Sequence, residues 1–140
     1  MMPRFSVVIP ARNDGAALGR TLDWLERLGP AHAFEVIVGA SGDPEETERA
    51  VAGRARLLWP RGSTRAALMN AGAEASRGQI LFFLHADSLP PKDAYALIDG
   101  ALADPCVVGG ALEHLFEEPV WSLRAVTWVN RARYRITRNY

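Results

Sequence analysis

Apolar positions recur along this chain in two rhythms that alternate with each other. Short runs at residues 5–10, 34–38, 55–59 and 80–84, several rich in β-branched residues, predict strands. Between them apolar residues step by three or four. Leu18, Leu22, Leu25 and Leu28 predict a first helix, ended by Gly29-Pro30. A second helix is predicted over 44–52, with Asp43 as its cap, Pro44 in its first position and Glu45 and Glu46 in its first turn. A third is predicted over 64–76, burying Ala67, Ala71 and Ala75, and a fourth over 92–103. Residues 106–115 read as extended, interrupted by Gly109-Gly110. This alternation predicts a layered α/β fold with a largely parallel sheet.

The chain is organised around the run Ile80 to Leu84. Its five consecutive apolar residues predict a central strand covered on both faces. It ends in His85-Ala86-Asp87 and is stopped by Ser88-Leu89-Pro90-Pro91. Open α/β sheets bind their ligands outside the carboxyl ends of the strands. Asp87 is therefore placed to hold a divalent cation bound to phosphates, since such ions favour oxygen ligands. The plainer alternative is that Asp87-Ser88 only caps the next helix. The first strand ends in a polar loop, Ala11-Arg12-Asn13-Asp14-Gly15, where Asn13 or Asp14 can cap the first helix. The second leads into Gly39-Ala40-Ser41-Gly42, small enough for a ligand to approach the backbone.

With 140 residues, 49% of them hydrophobic and 23% charged, the chain has the length and composition of one globular domain with a real core. Its formal net charge of zero argues against a nucleic-acid partner. The balance conceals an asymmetry: Arg124, Arg131, Arg133, Arg135 and Arg138 follow Pro119 with no acid among them, leaving 11 basic against 16 acidic residues before it. Residues 120–138 read as an amphipathic helix, with Trp121, Ala125, Trp128, Val129, Ala132 and Ile136 on one face. It either packs on protein or lies on a membrane surface. The division expected is residues 1–119 as one α/β domain and 120–140 as a basic helix. A lone Cys106, read as a buried small residue, offers no internal disulfide. The first apolar run is too short for a signal peptide, and none approaches the ~20 residues of a membrane span. A cytoplasmic location is expected, with peripheral membrane contact as the competing reading.

Three blocks in order carry a resemblance. Ser6-Val7-Val8-Ile9-Pro10-Ala11-Arg12-Asn13-Asp14, then Arg61-Gly62-Ser63-Thr64-Arg65 running into Met69-Asn70-Ala71-Gly72, then Gly78-Gln79-Ile80-Leu81-Phe82-Phe83-Leu84-His85-Ala86-Asp87-Ser88 resemble the successive motifs of family 2 glycosyltransferases. The His-Ala-Asp in place of Asp-x-Asp is most similar to the subgroup labelled arsenosugar-biosynthesis-type glycosyltransferases. The resemblance implies a three-layer nucleotide-diphospho-sugar transferase fold (Rossmann-like, GT-A). It further implies a nucleotide-diphospho-sugar donor, a divalent metal (Mn²⁺ or Mg²⁺) and inverting transfer to an acceptor it does not identify. Pro10, Ala11 and Arg12 would then line the base and ribose, Asp14 would be the loop acid, and Arg65, or Arg61, would approach the diphosphate. Gly39 falls where the family's second strand usually ends in a base-contacting Asp. His85, Ala86 and Asp87 would form the metal motif, with Asp87 as ligand.

The family's acceptor half and its catalytic base have no counterpart in these 140 residues. The chain is thus expected to be truncated, to expose an apolar patch on its sheet and to self-associate through that patch and the 120–138 helix. Two rival readings stay open. One is a nucleotide-binding or interaction module of the same fold without turnover. The other is a nucleotidyltransferase, which normally carries a glycine-rich basic loop after its first strand, whereas Ala11-Arg12-Asn13-Asp14-Gly15 has one glycine.

Overall fold

A computed structural model of the chain describes residues 2–29 and 34–112. Strands and helices alternate as β1 (Phe5–Arg12), α1 (Gly15–Leu28), β2 (Phe34–Ser41), α2 (Pro44–Val51), β3 (Arg56–Leu58), α3 (Arg65–Glu74), β4 (Ile80–Phe83) and α4 (Ala94–Leu102). The strands form one sheet in the order β3-β2-β1-β4, and every pair in it is parallel. The chain divides into two compact units, Met1–Ala96 and Leu97–Tyr140. The sheet lies wholly in the first. Through Leu112 the second holds the end of α4 and no strand; the rest of the extended 106–115 segment and the 120–138 helix fall outside the described residues.

The inner strands are β1 and β2. Phe5 to Ile9 are all buried, as expected of a strand covered on both faces, and Val7, Val8 and Ile9 are β-branched. β1 pairs with β2 from Phe5 opposite Phe34 to Arg12 opposite Ser41, and with β4 from Phe5 opposite Ile80 to Val8 opposite Phe83. α1 and α2 pack on each other and α3 packs on β1 and β2; with the strand order β3-β2-β1-β4, the right-handed rule for parallel crossovers assigns the two sets to opposite faces. The packing of α3 is close. A Cβ on Gly72 would overlap Val8 Cγ1, and one on Gly39 would fall 2.5 Å from the Leu68 carbonyl oxygen. Val8 and Gly39 lie on the same face by register, so α3 spans β1 and β2 together. Its buried residues are Leu68 and Gly72, one position on from the Ala67, Ala71, Ala75 stripe expected from sequence.

Among the described residues the strand expected at the centre pairs on one side only, with β1. In β4 the burial alternates, and Leu81 and Phe83 are 43% and 42% exposed on the side where α3 covers β1 and β2. An apolar run reports that both faces are apolar; it does not report which strand stands in the middle. On the opposite face Tyr95, in the first turn of α4, packs its ring against Phe5, Phe34 and Phe82 at centroid distances of 4.8, 5.2 and 6.3 Å. Cys106, expected inside, is exposed.

Candidate functional site

Because all four strands are parallel, their carboxyl ends share one edge, and the loops that leave it carry the polar motifs. Along that edge the order is the β3 loop with Arg61 and Arg65, the β2 loop with Ser41 to Asp43, the β1 loop with Arg12 to Asp14, and the β4 loop with His85 to Ser88.

The β1 and β2 loops are tied to each other. Asn13 has a positive φ of 52° and its Oδ1 accepts a hydrogen bond from the Asp43 amide at 3.0 Å. Gly42, at φ 99°, must be glycine on two counts: the left-handed backbone, and the Asn13 carbonyl that a Cβ would overlap. Asp14 occupies the N-cap position of α1 but its side chain caps nothing. Glu46 on α2 does this instead, its Oε1 accepting from the Gly15 amide at 2.9 Å. That carboxylate sits at the positive end of the α1 dipole. Asp43 caps α2 as its sequence predicts, accepting from the Glu45 and Glu46 amides. Thr64 caps α3 through the Ala67 amide.

The β4 loop is held from α1. Leu84 donates its amide to the Val8 carbonyl, and a turn closes from the Ser88 amide to the His85 carbonyl at 3.1 Å. The Thr21 hydroxyl donates to the Ala86 carbonyl at 2.7 Å, and the Trp24 indole N–H donates to the Pro90 carbonyl at 2.7 Å. The loop alternates in exposure. Leu84, Ala86 and Pro90 are buried, while His85, Asp87 and Leu89 face outward.

Of the residues singled out from sequence, Arg12, Asp14, Arg61, Arg65, His85 and Asp87 are exposed on or beside this edge. None of them uses its side chain in a hydrogen bond or ion pair among the described residues. Pro10 is half-buried, and Ala11 and Ala86 are buried, so these two offer backbone and not side chain. Gly39 is buried against α3: its small size is used by the Leu68 carbonyl. The edge brings Arg12 and Asp14 between Asp87 on one side and Arg65 on the other. Arg65, one turn before Leu68, stands by the β2 end, with two strands between β3 and β4.

Four residues of the edge escaped the sequence reading. Thr21 and Trp24 carried a signal, a hydroxyl on the buried stripe of α1 and an aromatic three residues on. Glu46 carried none, since its partner lies 31 residues away. Ser41, opposite Arg12, has a buried hydroxyl oxygen without a partner among the described residues.

His85 and Asp87 flank one buried residue and present an imidazole and a carboxylate outward, unengaged. No group of three or more His, Cys, Asp or Glu able to hold a metal occurs among the described residues. Mg²⁺-type sites take one or two carboxylates from protein when phosphate oxygens and water complete the shell; Asp87 supplies one, and an imidazole beside it suits Mn²⁺ better. The residues therefore fit a divalent cation shared with a phosphate ligand. No helix among the described residues is long and apolar enough to cross a membrane.

The family model for glycosyl transferase family 2 matches residues 6–140. The fold resembles the crystal structure of S. aureus TarS 1-349, with a TM-score of 0.64 and 18% identity, over 82% of this chain and 40% of that one. It also resembles glucosyl-3-phosphoglycerate synthase from Mycobacterium tuberculosis, crystallised with Mn²⁺, uridine diphosphate and glucosyl-3-phosphoglycerate, with a TM-score of 0.54 and 24% identity, over 73% of this chain and 40% of that one. At such identities the likeness shows the fold, an α/β fold of the GT-A type, and the chain spans about 40% of the length of each. No curated protein matches the sequence.

Proposed function

From a chain that belongs to glycosyl transferase family 2, we propose a donor site for a nucleotide-diphospho-sugar at the carboxyl edge of the sheet, serving metal-assisted, inverting transfer of the sugar to an acceptor. The observation that carries the reading is the exposed, unengaged His85–Asp87 pair, set on the same edge as Arg12 and Asp14 by the parallel register of β1 and β4. The mycobacterial structure, with Mn²⁺ and uridine diphosphate bound to a protein of this fold, supports it.

In this reading Asp87 is the metal ligand, and His85 supplies a nitrogen ligand or a hydrogen bond to ribose. The chemistry a divalent cation supplies, when bound, is neutralisation of charge on the departing nucleoside diphosphate. Pro10, the Ala11 backbone and Arg12 line the base and ribose. Asp14 is the loop acid, and Arg65 approaches the diphosphate from the β2 side. Gly39 contributes by letting α3 sit close to the strand that carries Ser41. Inverting transfer needs a general base to take the acceptor's proton; we assign it to none of the described residues. The arsenosugar-type subgroup remains part of the proposal on the His85-Ala86-Asp87 motif alone.

The test is calorimetric titration of UDP, GDP and their sugar nucleotides into wild type and Asp87→Ala, with and without Mn²⁺. Manganese-dependent binding that is lost in the variant is the expected result and names the base. Equal binding by the two proteins would remove Asp87 from the site. No binding by either would sink the donor reading.

A further inference from the structure

We infer that Thr21 and Trp24, on one face of α1, are positioning residues that fix the phase of the His85–Ser88 turn and so aim Asp87 out of the edge. The inference rests on the donor-site reading above and adds residues that neither the motifs nor the family match assigns. Thr21 is a polar side chain 1% exposed, on a stripe otherwise occupied by Leu18, Leu22 and Leu25. A buried hydroxyl needs a partner, and this one finds it 65 residues away, on the Ala86 carbonyl at 2.7 Å. The Ser88 carbonyl lies 3.4 Å from the same oxygen. One turn along the helix, the Trp24 indole takes the Pro90 carbonyl. Three carbonyls of the loop, at alternate residues 86, 88 and 90, thus face α1.

This alternation matters because the loop's side chains alternate too. Ala86 is buried at 4% exposure, and its neighbours His85 and Asp87 are exposed. Were the loop to slip by one residue, Asp87 would turn inward and Ala86 outward. Beyond Leu84, whose amide still bonds to Val8, β4 makes no ladder hydrogen bonds among the described residues that would resist such a slip. The α1 donors supply the constraint. They act through the loop's backbone carbonyls. Groups bonded directly to a metal ligand typically set metal affinity by 10–100-fold, and these donors, which hold the backbone beside Asp87, are expected at the lower end of that range.

The experiment titrates Mn²⁺ into the full chain saturated with UDP or GDP, following the free-ion electron paramagnetic resonance signal. It also titrates each nucleotide without metal and measures amide hydrogen exchange at Ser88. Thr21→Val, which keeps shape and removes the hydroxyl, is expected to raise the Mn²⁺ Kd about tenfold, speed Ser88 exchange and leave metal-free nucleotide affinity unchanged. Thr21→Ser should restore both values. Trp24→Phe, which keeps the packing, should weaken Mn²⁺ binding in the same sense, and serves if Thr21→Val does not fold. Thr47→Val is the control for a purely structural loss, since that buried hydroxyl donates to the Asp43 carbonyl at 2.8 Å, away from the loop. It should leave Mn²⁺ affinity alone. Wild-type Mn²⁺ affinity and Ser88 protection in both α1 variants would overturn the inference while leaving the donor site standing. Wild type that binds no Mn²⁺ with any nucleotide would overturn the donor reading and this inference with it.

Discussion

Replacing Gly39 by alanine should destabilise the protein, and the same replacement at Gly19 should stabilise it. Gly39 lies in β2 beneath α3. A Cβ built on it comes within 2.5 Å of the Leu68 carbonyl oxygen, 3.0 Å of its carbonyl carbon and 3.2 Å of its Cα. Ordinary contact begins at 3.4 Å, so the helix backbone must retreat by about 0.9 Å. No rotamer change can relieve this, because the obstructing atoms are main chain locked in the helical ladder. Overpacking costs about 1–3 kcal/mol, and the lower chain entropy of unfolded alanine offsets about 0.4–1 kcal/mol of that. A net loss of about 1–2 kcal/mol is expected from these two terms. At Gly19, inside α1, nothing lies within 4 Å of the added methyl, and helix propensity favours alanine by about 1 kcal/mol. Urea unfolding followed by circular dichroism reads both as midpoint shifts at constant slope. The contrast also separates two explanations of Gly39. If the residue is small for the sake of a ligand, Gly39→Ala keeps its stability and loses nucleotide affinity. A midpoint for Gly39→Ala at or above wild type would refute the packing argument.

Two further outcomes follow from buried polar groups. Burial would raise the Glu35 carboxyl, but the Ser6 hydroxyl at 2.7 Å and the amide and guanidinium of Arg77 outweigh it and hold the group below its ordinary 4.5. A lowered folded value means stability that is present above pH 4.5 and lost as pH falls through the depressed value. Glu35→Gln should therefore cost about 1.5–3 kcal/mol at pH 7, as for hydrogen bonds to a charged group, and the gap to wild type should close in acid. A gap that stays constant from pH 7 to pH 3 in urea titrations would contradict this. Burial raises the Tyr95 hydroxyl, whose oxygen is enclosed without a partner among the described residues. Tyr95→Phe keeps the ring against Phe5, Phe34 and Phe82 and should raise stability by about 1 kcal/mol; a lower unfolding midpoint would show that the hydroxyl is satisfied.

The alternation of strands and helices was legible in the sequence because it is written in local spacing. So was Asp43 as a cap, where donor and acceptor lie within three residues. The carboxyl edge followed from parallel order alone. What the pattern did not show is assignment between distant elements. Ile80–Phe83 is apolar whether its strand is central or at the edge, and only pairing decides. In α3, Leu68 and Gly72 face the sheet because Gly39 and Val8 lie beneath them, a match that neither helix nor strand contains by itself. Gly39 and Gly42 looked like room for a ligand. One makes room for the α3 backbone and the other for Asn13.

That division of labour sharpens the case for the site. At this edge the residues with internal partners are Asn13, Asp43, Glu46, Thr21 and Trp24, each spent on fixing a loop to a neighbouring loop or helix. Left over are Arg12, Asp14, Arg65, His85 and Asp87, exposed and without side-chain partners among the described residues. An edge that only closed the fold would have used its charged groups as caps and pairs, as Glu46 shows it can. Here Asp14 stands at the N-cap and does not cap, while a glutamate from the next helix does that work. The substitution leaves an acid free beside Arg12, on the strand next to Asp87, in the place where a parallel sheet receives a ligand.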